Sequence, residues 1–257
     1  MPNRVVILGC GPSGLAAAKA AIDSGYRVLI ASHTDEPSTQ YGCQYLHAPI
    51  PGYEDVPHTT VSYHLNGTTG QYRLKVYGSK WPGKVSPEDF IGDHDAWDIR
   101  ETYRRMWRDL HHHPLVGWVK TIPIHTGFLP SPVYDYNPDF IISTIPAPNL
   151  CYFQGHNFLH HVIYASGSTN PYPAIEDEII CDGTTDHDWY RISRVFGYST
   201  IEWSNEPTNG ETAVRVRKPL KTDCDCTPST FRVGRYGKWE KGYLVHQVYP
   251  EVTSILK

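Results

Sequence analysis

Arg4-Val5-Val6-Ile7-Leu8-Gly9-Cys10-Gly11-Pro12-Ser13-Gly14-Leu15-Ala16-Ala17-Ala18-Lys19-Ala20-Ala21-Ile22 is the stretch on which the fold turns. Val5–Leu8 is apolar at every position, as a parallel strand buried on both faces requires. Glycines follow in the spacing G-x-G-x-x-G at Gly9, Gly11 and Gly14. The alanines beyond them favour a helix and are small enough to pack closely on a sheet. Ser24-Gly25 stops that helix, and Arg27–Ala31 supplies a second strand. Strand, glycine turn, helix and strand within roughly thirty residues form a dinucleotide-binding βαβ unit. Gly9 permits the tight turn, Gly11 lets backbone approach a pyrophosphate, and Gly14 lets helix close on strand. Pro12 and Ser13 open the helix, whose free amides and positive dipole end meet the anion.

The rest of the chain must be fitted around this unit. Its 257 residues suffice for one substantial core with an inserted lobe. Charged residues make up only 19%, and 18 Tyr and 7 Trp supply apolar faces with polar tips for sheets or cleft walls. A net charge of −4 argues against a surface that binds nucleic acid or anionic membrane all over, though it allows a local basic groove. No apolar run has the length of a membrane span, and the start lacks a signal peptide. The expectation is therefore a cytoplasmic protein with reduced thiols and no membrane partner.

Short strands are expected at Val61–Leu65 and Tyr72–Val76, joined as a hairpin through Asn66-Gly67. A helix from about Asp95 to His112 carries Ala96, Ile99, Tyr103, Met106, Trp107 and Leu110 on one stripe. Strands return at Phe140–Thr144, His161–Ala165, Ile179–Asp182, Tyr190–Val195, Ser199–Trp203 and near Phe231–Val233. A helical segment from about Tyr243 follows, with Pro250 expected to kink it. The implied architecture is α/β. A Rossmann-like FAD-binding core, discontinuous in sequence, comes from about 1–60, 115–150 and 220–257. A β-rich substrate lobe from about 61–114 and 151–219 is inserted into it.

The distal segments favour FAD. Asp139-Phe140-Ile141-Ile142-Ser143-Thr144-Ile145-Pro146 resembles the D-x-V-I-x-T-x-P segment of flavin amine oxidases and UDP-galactopyranose mutases. Gly234-Arg235-Tyr236-Gly237-Lys238-Trp239, then Val245-His246-Gln247-Val248, resembles the closing FAD motif of the mutases. The resemblance implies that this turn lies by the flavin and that the next helix aims its N-terminus at it. Gly42, Cys43 and Gln44, in Gly42-Cys43-Gln44-Tyr45-Leu46-His47, stand where the family places a loop against the isoalloxazine ring. With that segment the compact chain is similar to bacteriophage flavoproteins, among them FAD-dependent lyases of thymidine hypermodification. The middle of the chain is much shorter than in the mutases and oxidases. Ser32 and His33 stand where an acid usually binds the ribose, with Asp35 and Glu36 a few residues on. The same pair suits a 2′-phosphate, which leaves NADP as a rival cofactor.

An amine or amino-acid adduct is the substrate class this implies, and glycine-substituted thymine in phage DNA is one such adduct. Hydride passes from carbon to flavin, and water then cleaves the imine to leave an aminomethyl base. Amines give up hydride only when neutral, so the site needs a base or a dry aromatic wall, and a cation for the carboxylate. His47 is the candidate base. Tyr190 and Arg191, in Asp188-Trp189-Tyr190-Arg191, resemble the aromatic-arginine pair that faces substrate in the mutases. The resemblance implies that Arg191 clamps a carboxylate or phosphate and that Tyr190 lies against the flavin or a base. Strand alternation puts Tyr190, Ile192 and Arg194 on one face, with Arg191 and Ser193 on the other. Arg73, Lys75, Tyr77, Lys80, Trp81 and Lys84, in Tyr72–Lys84, mix basic and aromatic residues as a DNA-binding surface or as an ordinary amphipathic hairpin. Two other functions fit the sequence: a flavoenzyme acting on a UDP-sugar, and a nucleotide-binding regulator without turnover.

No metal is expected. The six cysteines contain no C-x-x-C pair, and Cys224-Asp225-Cys226 is only a weak metal or redox candidate. Adjacent histidines at His111–His113 and His160-His161 lack cysteine or carboxylate partners at ligand spacing, and those on a helix diverge.

Overall fold

Val5, Val6, Ile7 and Leu8 are wholly buried, which only the centre of a sheet covered on both faces provides. The computed structural model describes residues 3–257 except 35–36, 38–44, 80–82, 84–85, 87–89, 122–128, 130, 154, 169–174, 209–211 and 228. In chain order, β1 (Arg4–Leu8), α1 (Pro12–Asp23) and β2 (Arg27–Ser32) form the expected unit. Then come β3 (His58–Asn66), α2 (Thr69–Tyr77), β4 (Gly92–Trp97), α3 (Ile99–His111) and β5 (Val116–Lys120). Next are α4 (Ser131–Asp135), β6 (Phe140–Ser143), α5 (Ala147–Leu150) and β7 (Phe158–Ser168). β8 (Glu178–Asp182), β9 (Trp189–Val195) and β10 (Tyr198–Trp203) form a meander, and β7 lies between β10 and β11 (Val214–Thr222) in the same sheet. The chain closes with β12 (Thr230–Arg232), α6 (Gly234–Lys238), a 3-10 turn at Val245–Gln247 and α7 (Val248–Ile255).

Two sheets result. Five parallel strands run in the order β12-β6-β1-β2-β5. The alanine face of α1, α3 with Ile99, Tyr103, Met106 and Leu110, and α7 with Val248 and Val252 cover one side. Val133 and Leu150, from α4 and α5, cover the other. The second sheet has seven strands in the order β11-β7-β10-β9-β8-β3-β4 and is antiparallel except where β3 pairs with β8.

Three expectations need correcting. Tyr72–Val76 is helix, not the return strand of a hairpin. Thr68 and Gln71 form a capping box that starts α2 straight after the Asn66-Gly67 turn, and β3 pairs instead with β4 and β8. The helix expected from Asp95 starts at Ile99, because the Asp98 carboxylate accepts from the backbone N–H groups of Arg100 and Glu101. Residues 92–97 before it are strand, and α3 packs on α1 beside the parallel sheet rather than in the lobe. Pro250 leaves α7 intact, since it lies in the first turn, where no helical N–H is needed.

Candidate functional site

The glycine turn is built as its spacing demands. Gly9 has φ +98°, and a Cβ there would lie 2.8 Å from Thr144 Oγ1 on the segment after β6. At Gly14 a Cβ would sit 2.0 Å from the Gly9 carbonyl oxygen, so only glycine lets α1 close on β1. At Gly11 a Cβ would meet nothing within 4 Å, which leaves the backbone ahead of α1 open to a ligand. The Tyr103 hydroxyl donates to the Cys10 carbonyl at 3.0 Å and braces this turn from α3.

A cavity of about 230 Å³ opens at the carboxyl ends of the parallel strands, where open α/β sheets bind their ligands. Gly9, Ser32, His33, Ile145, Pro146 and Asn149 line it. Ser32 is buried, and its hydroxyl lies 3.0 Å from Cys10 Sγ and accepts from the Thr34 N–H. His33 is exposed at the rim. Asp35, Glu36, Gly42, Cys43 and Gln44 lie outside the described residues.

The C-terminal motif meets this turn. Gly234, with φ +71°, abuts α1 so closely that a Cβ there would lie 2.9 Å from Ser13 Oγ. A Cβ on Gly237 would lie 2.5 Å from the Ser143 carbonyl oxygen. Residues 234–238 form a short helix, not a bare turn. Val245 packs on the core that α1 and α7 share. Arg235 is half-buried and faces β11, with Nη2 3.4 Å from the Pro219 carbonyl and Nε unpartnered among the described residues. Tyr236 turns outward, donating to the Arg217 carbonyl at 2.9 Å.

On β9 and its neighbouring strands lies a buried charged group. Arg191 pairs with Glu202, Trp189 pairs with Trp203, and Tyr190 is the extra residue of a β-bulge. The bulge overrides strict alternation and puts Tyr190 and Arg191 on the same carboxylate. Tyr190 Oη donates to Glu202 Oε2 at 2.5 Å, Arg191 Nη2 to Oε1 at 2.5 Å, and Lys218 Nζ to Oε2 at 2.9 Å. Glu202 is wholly buried; burial raises its pKa, but Arg191 and Lys218 outweigh that and hold it down to about 2. Burial pulls Lys218 down to about 8 against the pull of Glu202. Arg194 stays on the other face and pairs with Glu176. Arg191 is therefore already clamped, and the expected anion-binding role does not fit a guanidinium held this way.

His47 stands between these two regions. Its ring lies 4.6 Å from Tyr45 and 6.1 Å from His246 of the C-terminal motif. Tyr45 in turn bonds Tyr63 at 3.0 Å, whose ring contacts His94 edge-on. One face of His47 is open to solvent, which moderates the effect of its setting; burial of the rest, then His246 and His94, lowers its pKa to about 4. It is neutral at physiological pH, as a proton acceptor must be. His161, between Tyr77 and Lys218, is likewise lowered to about 4, first by burial and then by Lys218.

The structure thus groups Gly9, Gly11, Pro12, Ser13, Gly14, Gly234 and Val245 at one seam, and Tyr190 and Arg191 on the sheet opposite, with His47 between. Sequence reasoning missed Glu202, Lys218 and His94, and gave His161 and His246 no role of their own. An acid between Ile201 and Trp203 in a strand was the one signal for Glu202. Of the basic-aromatic segment, Tyr72 is buried at 3% exposure, Lys75 is paired to Asp182, and Arg73 and Tyr77 are half-buried on α2. Lys80, Trp81 and Lys84 of that segment lie outside the described residues.

No protein-family model matches the chain, and no curated protein matches it in sequence. Solved structures do match in fold. MibH, a tryptophan 5-halogenase, aligns with TM-score 0.61 at 12% identity over 100% of this chain and 67% of its own. The p-nitrophenol 4-monooxygenase PnpA of Pseudomonas putida DLL-E4 gives 0.58 at 12%, over 100% and 80%. A 2-methyl-3-hydroxypyridine-5-carboxylic acid oxygenase gives 0.52 at 11%, over 99% and 87%. At this level of identity the likeness is one of overall fold.

Proposed function

We propose that the protein is an FAD-dependent oxidoreductase that cleaves a C–N bond of an amine or amino-acid adduct. One observation carries the reading: Gly234 is pressed against Ser13, so the glycine turn and the C-terminal motif, 220 positions apart, share one seam. The residues fit a dinucleotide. Gly11 leaves the helix N-terminus approachable, Gly9 opens onto the strand-end cavity, and α7 follows the C-terminal motif. The fold neighbours support a redox role, since they comprise a halogenase, a monooxygenase and an oxygenase.

FAD, when bound, supplies a hydride acceptor that turns such a C–N bond into an imine which water cleaves. The chain's own residues do the rest. Neutral His47 takes the proton that keeps the amine uncharged. Tyr190, Arg191 and Lys218 hold the Glu202 carboxylate in a fixed network within the mixed sheet, behind the Tyr45–Tyr63 pair that His47 touches. Arg235, half-buried on the short helix of the C-terminal motif, is the cation assigned to a substrate carboxylate in this reading. A glycine-substituted thymine offers that carboxylate beside the amine, and its cleavage with water yields the aminomethyl base and glyoxylate.

Purified protein tests this directly. It is expected to be yellow and to release FAD by mass. Under anaerobic conditions its flavin absorbance bleaches on addition of glycine-substituted thymine in DNA. A colourless protein that binds only NADP overturns the cofactor. Bleaching by a free amine and not by the DNA moves the substrate to small molecules.

A further inference from the structure

Cys151, His156, Cys224 and Cys226 converge where the chain passes between the two sheets. Cys151 is the C-cap of α5, on the way out of the parallel sheet, and His156 follows before β7. Cys224 and Cys226 lie on the way back, between β11 and β12. One ligand atom from each of the four lies within 4.8 Å of every other.

The spacings match a coordination shell. Cys151 Sγ is 3.8 Å from Cys226 Sγ, and His156 Nδ1 is 3.4 Å from both sulfurs. Zinc bound tetrahedrally at about 2.3 Å to sulfur and about 2.0–2.1 Å to nitrogen sets edges of about 3.8 Å between sulfurs and about 3.5 Å from sulfur to nitrogen. A disulfide instead needs its sulfurs about 2.05 Å apart. Three cysteines and one histidine are a closed structural set with no position left for substrate.

The surroundings complete the site. His156 turns its other nitrogen, Nε2, toward Asp225 Oδ1 at 3.7 Å, the carboxylate–histidine pairing that orients a ligand imidazole. Arg232 reaches Cys224 Sγ at 3.4 Å and donates to the carbonyls of Cys224 and Cys226. Three thiolates around a divalent ion leave a single negative charge, which this guanidinium offsets. Asp223 accepts from the Asn157 N–H at 2.8 Å, and Thr222 donates to the Asn157 carbonyl at 2.8 Å, so the two crossings are already bonded beside the cluster.

We propose that Cys151, His156, Cys224 and Cys226 bind one structural Zn²⁺ that ties the two crossings of the chain together. The site is separate from the flavin seam, and its test does not depend on turnover. The full chain, purified without added metal and dialysed against a weak chelator, is expected to hold a single equivalent of zinc by elemental mass spectrometry. A mercurial thiol reagent should release that zinc to a metallochromic dye. Cobalt substitution should give the intense visible bands of tetrahedral thiolate coordination.

His156→Ala and Cys226→Ser should each lower the zinc content at least about tenfold. His156→Cys, which keeps four ligands, should retain it. Flavin content is read in parallel and is expected to persist in His156→Cys. A wild-type chain that holds no zinc and takes up no cobalt overturns the proposal. So does a Cys151–Cys226 disulfide trapped by thiol blocking at lysis, or zinc that survives Cys226→Ser unchanged. Should Cys226→Ser not fold, the wild-type cobalt spectrum and His156→Cys still decide the matter.

Discussion

The seam of the parallel sheet and the wall of the mixed sheet solve opposite problems. At the seam everything is small: Gly9, Gly14, Gly234 and Gly237 let backbones approach until any side chain would collide. At the wall everything is large and polar: Tyr190, Arg191 and Lys218 converge on the buried carboxylate of Glu202. A surface that must admit a ligand's phosphates gains from missing side chains. A polar network with few free rotamers instead holds its surface rigid.

Gly11 and Gly14, three positions apart in one turn, are not equivalent, and this gives the largest expected effect. Gly14→Ala places a carbon 2.0 Å from a carbonyl oxygen and should prevent folding, with loss above about 4 kcal/mol. Gly11→Ala, whose added carbon meets nothing, should fold with a near-native Tm and yet lose flavin, measured as cofactor content per chain. If both variants unfold alike, or Gly11→Ala keeps its flavin, the seam is structural only.

At the wall, Glu202→Gln strands Arg191 and Lys218 without their counter-charge. It should cost about 3–5 kcal/mol in denaturant unfolding, as for other broken buried ion pairs. A loss below about 1 kcal/mol would show that solvent reaches the wall, and the contrast with the seam would fade.

The smallest effect is on pH. The pKa of His161 in the folded chain, about 4, lies below its ordinary value of 6.5. Between those values the unfolded chain binds a proton that the folded chain refuses, so stability falls as pH drops from about 6.5 toward 4. The slope is at most about 1.4 kcal/mol per pH unit. His161→Gln should flatten the unfolding free energy over that window relative to wild type; parallel curves would place His161 in water.

The seam was readable from sequence because its constraints are local. Gly9, Gly11 and Gly14 sit within six residues, and the strand and helix they join flank them directly. The wall was not, because its partners are brought together by pairing. Glu202 meets Arg191 through strand register, and Tyr190 joins them only because a bulge breaks the alternation that its sequence spells. The strand Val214–Thr222 alternates valine and arginine, yet Pro219 disguised it. The cysteine cluster stayed hidden for the same reason: Cys151 and Cys226 are 75 positions apart. In α2, a short-range signal misled, since Asn66-Gly67 reads as a hairpin turn until Thr68 and Gln71 cap a helix two residues later.

The parallel sheet begins with Arg4–Leu8 but receives its edge strand only from Thr230–Arg232, and α7 then covers α1. During synthesis the first βαβ unit therefore waits on the ribosome with an open edge and an uncovered helix face. Assembly of so non-local a sheet is slow. Conditions that hasten translation or crowd nascent chains should favour aggregation of this protein before they disturb its finished form.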